Sequence, residues 1–369
     1  MTGGTGTLSN TGGGTLALSG NLTKNGTVLT FAGGSFSITG VISGASANSD
    51  LIVDNAVVAL NNTNTYNGPT YLRNGGALSA NVVGAMPTSI RSAVIMDDTG
   101  TGSSSLTLAA SQEIASLTGA ASSGVSLATA TTLTLGTSTG TTTFAGIIGG
   151  TGGLIKDGAS TQTLTGANSY TGTTTISAGT LEVSGASGAL SATSAVYING
   201  GTLLLNGSEA NRIKDTAAIA LGAAGSKLQL SGTVTETLGA LTLAGGAGAR
   251  VIDFGVGSGV LTFASLTADS SLPLQIWNWS GTIGTGGGTD RFIITGGSLG
   301  GSLAASNISF FSDSGTTLCS GATMFSGTEL VPGLVAVPEA NTLLGVLGLM
   351  APLAWRERRH WMRCREARG

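Results

Sequence analysis

This 369-residue chain has little of what chemistry at a protein site ordinarily uses: one histidine, two cysteines and only 9% charged residues. His360 lies in an arginine-rich tail, where it reads as a solvated residue. Cys319 and Cys364 flank an apolar run, so they are expected in different compartments and not in an intramolecular disulfide. No cysteine or histidine spacing fits a metal. Catalysis needs titratable groups that converge, and the carboxylates of the body are mostly isolated in turns. Asp97-Asp98 is the adjacent pair, for which a solvated turn is the preferred reading, and Asp50 and Asp54 are a looser one. The glycine strings follow no strand–helix context, which excludes a phosphate loop. No glycine-aspartate nonapeptide array is present for calcium. Neither a cofactor nor an enzyme activity is expected. Up to Trp355 acidic side chains outnumber basic ones, so no basic surface for nucleic acid exists. Helical periodicity is nearly absent through the first three hundred residues.

What is present is glycine, 62 residues of it, together with a 41% hydrophobic content supplied by aliphatic and β-branched residues. The apolar residues alternate instead of forming blocks, which argues against a disordered glycine-serine chain. Leu16 and Leu18, Leu106 and Leu108, Leu133 and Leu135, Leu203 and Leu205, Leu228 and Leu230, and Leu241 and Leu243 each place two side chains on one face of a short strand. Strands this short between glycine turns suit a coil whose rungs stack roughly 4.8 Å apart.

A longer repeat lies over the alternation. Asn64-Thr65-Tyr66-Asn67-Gly68-Pro69-Thr70 and the following residues to Gly75 match Asn168-Ser169-Tyr170-Thr171-Gly172-Thr173-Thr174 and the following residues to Gly179. Upstream, Gly40-Val41-Ile42-Ser43-Gly44 matches Gly146-Ile147-Ile148-Gly149-Gly150. The two units run over about 40–79 and 146–185. Thr and Ile favour extended backbone, glycines allow the corners, and Asn64 and Asn168 read as turn residues that could join corner side-chain ladders. The stretch from Asn168 to Leu181 resembles the autotransporter-associated β-strand repeat of bacterial surface proteins. That resemblance implies a right-handed parallel β-helix, expected here over residues 1–250.

Between 251 and 335 the texture changes, with Trp277, Trp279, Phe310, Phe311 and Phe325 concentrated there. Solenoid ends must be capped, so terminal rungs and an aromatic cap are expected. A sugar-stacking role for Trp277 and Trp279 is the sharper alternative.

Residues 336–369 hold Val337-Pro338-Glu339-Ala340, an apolar run with Leu343, Leu344, Val346, Leu347, Leu349, Leu353 and Trp355, and a cluster with Arg356, Arg358 and Arg359. As a helix, the run from Thr342 to Trp355 would be about 20 Å long, shorter than a ~30 Å hydrocarbon core. The positive-inside rule would keep the arginines cytoplasmic. This order resembles the PEP-CTERM sorting signal, although Ala340 stands where a second proline is usual. The resemblance implies a short C-terminal transmembrane helix in the inner membrane, an exosortase-type processing enzyme as partner, and a cell-surface or extracellular product. Met1-Thr2-Gly3-Gly4 opens with no basic or apolar leader segment, so export is read from the tail alone. The expected function is structural or adhesive, with exopolysaccharide or cell-surface glycans as possible partners. A polysaccharide-binding or polysaccharide-cleaving β-helix is the alternative, and clustered carboxylates on one face would favour it.

Overall fold

The computed structural model describes residues 4–333 except 46–48, 90, 98–102, 137–138, 269–271, 297, 302–303 and 321–322. The Pro-Glu motif, the apolar run and the arginine cluster all fall outside the described residues. Among the described residues, the 3-10 turn Ala305–Asn307 is the one helical element, and no helix is long and apolar enough to cross a membrane. The fold is a parallel β-solenoid, in two compact units: Met1–Tyr197 with Arg212–Lys214, and Ile198–Asn211 with Asp215–Gly369.

In the first unit the chain passes three sides on each turn. One side stacks Gly4–Ser9, Thr27–Ala32, Leu51–Asp54, Thr70–Arg73, Val94–Asp97 and Leu117–Gly119 in parallel. A second stacks seven strands from Thr15–Leu18 to Ile147–Gly150, all in parallel register. The third begins with Leu22–Thr23, Ile42–Gly44 and Thr65–Tyr66. It resumes with Gln112–Ile114, Thr132–Leu135, Gly153–Lys156 and Thr174–Ile176.

The sequence alternation becomes an inside and an outside. In Thr27–Ala32 every second residue is buried and those between are half-buried. Register then aligns the buried residues into columns along the coil. Phe31, Val53, Leu72 and Met96 form one, and Phe36, Val58, Leu78, Leu106, Val125 and Ile148 another. All of these are at most 3% exposed, and each such side chain contributes roughly 1.5–3 kcal/mol by leaving water. Bulk is traded between neighbours within a column. Gly119 lies opposite Phe144, and a Cβ there would come within 2.8 Å of the ring.

Buried positions in the stacked strands are not all apolar: Gln112, Lys156 and Gln162 are among the polar ones. Gln162 is 2% exposed, with Thr142 and Leu181 opposite it in register. Its Nε2 donates to the Leu117 carbonyl at 2.9 Å, and its Oε1 accepts from the Leu117 N–H at 3.1 Å. Thr142 Oγ1 donates to the same Oε1 at 3.0 Å. Between Leu117–Gly119 and Thr141–Phe144 the strands pair only at Gly119 and Phe144. The Gln162 carboxamide therefore does for Leu117 what a neighbouring peptide group would have done.

The second unit is built from longer strands. Lys227–Leu243 runs parallel to Gly257–Ala268 over most of the latter's length. Arg250–Asp253, Leu274–Trp277 and Ile308–Phe311 stack in turn. Pairing then changes sense: Leu318–Ser320 is antiparallel to Ile308–Phe311, and Thr323–Ser326 forms a hairpin with Glu329–Pro332. Cys319 is 4% exposed and disulfide-bonded. The expectation about its separation from Cys364 falls outside the described residues.

Close stacking limits what a corner can carry. A Cβ on Gly166 would lie 2.0 Å from the Gly146 carbonyl oxygen of the rung before, whereas one on Gly124 would meet nothing within 4 Å. Gly166→Ala is expected to cost about 1–3 kcal/mol by overpacking. Gly124→Ala is expected to be neutral or to stabilise by up to about 1 kcal/mol. Urea unfolding of the two variants checks the contrast, and equal effects would refute it.

Candidate functional site

The two halves of the sequence repeat are brought together by one side chain in each copy. Asn64, 3% exposed, accepts from the Ile42 N–H at 2.7 Å and donates to the Asn62 carbonyl at 3.0 Å and the Ala85 carbonyl at 2.7 Å. Asn168, fully buried, accepts from the Ile148 N–H at 3.0 Å and donates to the Gly166 carbonyl at 2.8 Å and the Ala189 carbonyl at 3.1 Å. Each carboxamide thus closes its own turn and bonds the rung before and the rung after. Ile42 and Ile148 belong to the shared upstream elements, so the two motifs separated in sequence are neighbours in space. Gln112, 1% exposed, repeats part of the pattern without the motif: it accepts from the Met86 N–H at 2.9 Å and donates to the Val82 and Ala110 carbonyls, bonding the rung before and its own turn.

The motif tyrosines are interior. Tyr66 and Tyr170 are 0% and 1% exposed, and each hydroxyl bonds the threonine four residues on, Thr70 and Thr174, at 2.7 Å. Thr174 Oγ1 continues to Thr193 Oγ1 at 3.0 Å, and Thr193 Oγ1 donates to the Gly172 carbonyl at 2.9 Å. The motif glycines sit where a side chain has no room. A Cβ on Gly68 would lie 2.7 Å from Asp50, and one on Gly172 would lie 2.3 Å from the Gly152 carbonyl. Gly179 combines a positive φ of 64° with carbonyls of Gly158 and Ser160 at 2.4 Å from its Cβ position. Gly75 holds φ 81° beside Asn74 at φ 53° in the turn closed by Gly76 N–H to Arg73 carbonyl. Asn64, Tyr66, Asn168 and Tyr170 are engaged in holding turns together, and Gly68, Gly75, Gly172 and Gly179 sit where a side chain is crowded or strained.

The charged residues are similarly engaged. Arg91 gathers Glu113 at 2.8 Å and Asp157 at 3.2 Å, with all three side chains partly exposed. The Gly158 backbone N–H, together with Arg91 and Lys156, holds the Asp157 carboxyl below the usual carboxylate range against some desolvation. An acid held ionised is a poor proton donor. In the second unit Asp290, fully buried, accepts from the Gly259 and Ser280 N–H groups at 2.9 Å each. Glu329, 3% exposed, accepts from the Gly287 N–H at 2.9 Å and Arg291 Nε at 3.0 Å. Arg212 donates to the Gly185 and Gly188 carbonyls, and Arg250 to the Ala244, Gly246 and Gly248 carbonyls. No group of three His, Cys, Asp or Glu able to hold a metal occurs among the described residues. Of the sequence pairs, Asp98 lies outside those residues, and Asp54 accepts from Asn74 at 2.6 Å.

Trp279 is 2% exposed and packs edge-on against Phe254 at 5.5 Å and Phe310 at 4.9 Å, so it belongs to the core and offers no ring face to a sugar. Trp277 is half-buried. Lys227 Nζ lies 4.6 Å from its ring centroid, and a Cβ on Gly315 would come within 2.8 Å of the indole nitrogen. The signal that sequence reading missed is a Gln, Lys or Arg at an alternation-buried or corner position: Gln112, Gln162, Lys156, Arg212 and Arg250 all read as surface residues in isolation.

Asn168→Ala is expected to cost about 3 kcal/mol in urea unfolding, because the Ile148 N–H and the Ala189 carbonyl lose their side-chain partner while the Gly166 carbonyl keeps only backbone donors. Tyr170→Phe is expected to cost about 1 kcal/mol. Burial pushes Tyr66 up to about 12 and Tyr170 higher still, each against the hydrogen bond from its threonine. In the unfolded chain tyrosine ionises near pH 10. Their contribution to stability is therefore whole below pH 10 and is lost as pH rises through 12. Unfolding measured across that range should show a slope that the Tyr66→Phe, Tyr170→Phe double variant lacks.

A comparison with curated proteins finds no match, and a comparison with solved structures finds none either. A family comparison matches residues 154–183 to the passenger-associated-transport-repeat. The matched span runs from Leu154 to Val183 and includes Asn168, Tyr170, Gly172 and Gly179, so the rung clip built on Asn168 lies within a recognised autotransporter-associated repeat.

Proposed function

We propose that the protein is an exported surface or matrix component whose right-handed solenoid acts as a stiff structural or adhesive rod. The observation that carries this reading is the matched repeat at 154–183. Its motif residues are consumed in joining rungs, which leaves a surface of repeated hydroxyl and backbone groups. Parallel strand crossovers are right-handed in nearly all cases, which supports the hand. Neutral exopolysaccharide or cell-surface glycans fit a surface so poor in charge.

The tail extends the reading. Val337-Pro338-Glu339, the apolar run and the arginines form a sorting segment that an exosortase-type enzyme cuts near Pro338-Glu339, after the inner membrane has held the chain by its C-terminus. The test is intact mass of the protein recovered from its native host, in membrane and extracellular fractions, with and without reductant. Reduction matters because Cys319 is disulfide-bonded and Cys364 is the chain's other cysteine. An extracellular species ending near Pro338-Glu339 is expected. An uncleaved soluble product with its tail disulfide-linked to Cys319 would overturn the sorting reading.

A polysaccharide-cleaving reading has one observation in its favour: Glu113 and Asp157, both partly exposed, meet on Arg91. Incubation with host polysaccharide is expected to release no reducing sugar. Release that disappears in Glu113→Gln and Asp157→Asn would replace the structural reading with the enzymatic one.

A further inference from the structure

Two lysines lie wholly inside the first unit, and their surroundings differ. Lys156 Nζ donates to the Asp157 and Gly158 carbonyls at 2.8 Å each and to the Ala178 carbonyl at 3.4 Å. Three acceptors match the three N–H groups of an ammonium. Lys24 is also fully buried, at the end of Leu22–Thr23. Its side chain runs beside Gly44, where a Cβ would come within 3.1 Å of the Lys24 Cβ. Its Nζ lies 4.3 Å from the centroid of the Tyr66 ring and, among the described residues, donates to one carbonyl, that of Ser49. Within those residues one carbonyl and one ring face leave an ammonium with a donor unmet, whereas a neutral amine has one donor for each. Tyr170, the equivalent of Tyr66 in the second repeat, has no cation over its ring among the described residues.

We propose that Lys24 is carried as a neutral amine in the folded protein and that the first two turns of the solenoid open more readily as the pH falls from alkaline towards neutral. The groups facing Lys24 are few. Ile42–Gly44 contributes no titratable side chain, Thr65–Tyr66 contributes the protonated tyrosine, and Asp50, at the entry to Leu51–Asp54, supplies the opposing charge. Burial, the larger influence, pushes Lys24 down to about 7 against the pull of Asp50. Burial also lowers Lys156, to about 8, against the pull of Asp157. An unfolded lysine keeps its proton to about pH 10.4. Between these limits the opened rungs bind a proton that the closed rungs refuse, so each unit of pH drop favours opening by about tenfold. Below about pH 7 both forms are protonated and the dependence levels off.

The chain has four lysines, Lys24, Lys156, Lys214 and Lys227, which makes direct titration tractable. In the full chain labelled with ¹³C-lysine, the Lys24 Cε resonance, assigned by its loss in Lys24→Arg, is expected to titrate near neutrality. Proteolysis within residues 1–45 under native conditions is expected to give an opening constant that rises about tenfold per unit from pH 10 to pH 8. Lys24→Met should flatten that dependence, and Lys156→Met should leave it in place. A Lys24 resonance that titrates above pH 10 would overturn the proposal, as would a pH dependence of opening that survives Lys24→Met. Should Lys24→Met fail to fold, the titration of the unmodified chain still decides.

Discussion

The spacing between rungs governs the rest of this structure. Parallel strands stack at roughly 4.8 Å, and a backbone carbonyl that points along the coil leaves no space for a Cβ on the next turn. Gly166 over Gly146 and Gly172 over Gly152 are the outcome, with would-be Cβ positions 2.0 and 2.3 Å from a carbonyl oxygen. The same spacing makes corners costly in another way. Where strands end, N–H and C=O groups remain in a dry interior, and each must find a partner. Asn64, Asn168, Gln112 and Gln162 meet that need because a carboxamide carries one donor side and one acceptor side on a short stem. Lys156, Arg212 and Arg250 meet it where only carbonyls are orphaned.

Much of the fold was legible in the sequence because period-two alternation survives even in biased composition. The columns through Leu106 and Leu133 lie where alternation puts them. The repeat was legible too, since Asn, Tyr and Gly recur at matched positions. Its meaning was not, because nothing in the spacing says that Asn64 reaches Ile42 behind it and Ala85 ahead of it. That takes the register, which long-range stacking sets and local sequence does not. Trp279 fills the interior between Phe254 and Phe310, which sets aside the sugar-stacking alternative for that residue.

The candidate site shows how a chain with few titratable groups spends them. Arg91 occupies both Glu113 and Asp157, and Asp290 and Glu329 each accept from buried N–H groups. Groups so occupied lend rigidity to the turns they join. The rod or adhesive surface proposed above would work by shape and by hydrogen-bonding groups repeated along its length. The matched repeat at 154–183 and its structural counterpart around Asn64 show the same bonding, although only the first coincides with the family match.

The two copies of the repeat do not sit on the same side of the coil. The upstream element around Ile42 pairs within the three-stranded sheet of Leu22–Thr23 and Thr65–Tyr66, whereas the one around Ile148 continues the seven-stranded sheet. The bonding of the repeated unit is therefore not tied to one face of the coil. A copied segment that closes its own corner and clips to whatever lies on either side of it can be inserted after any face, and the molecule can lengthen in fractions of a circuit without losing phase.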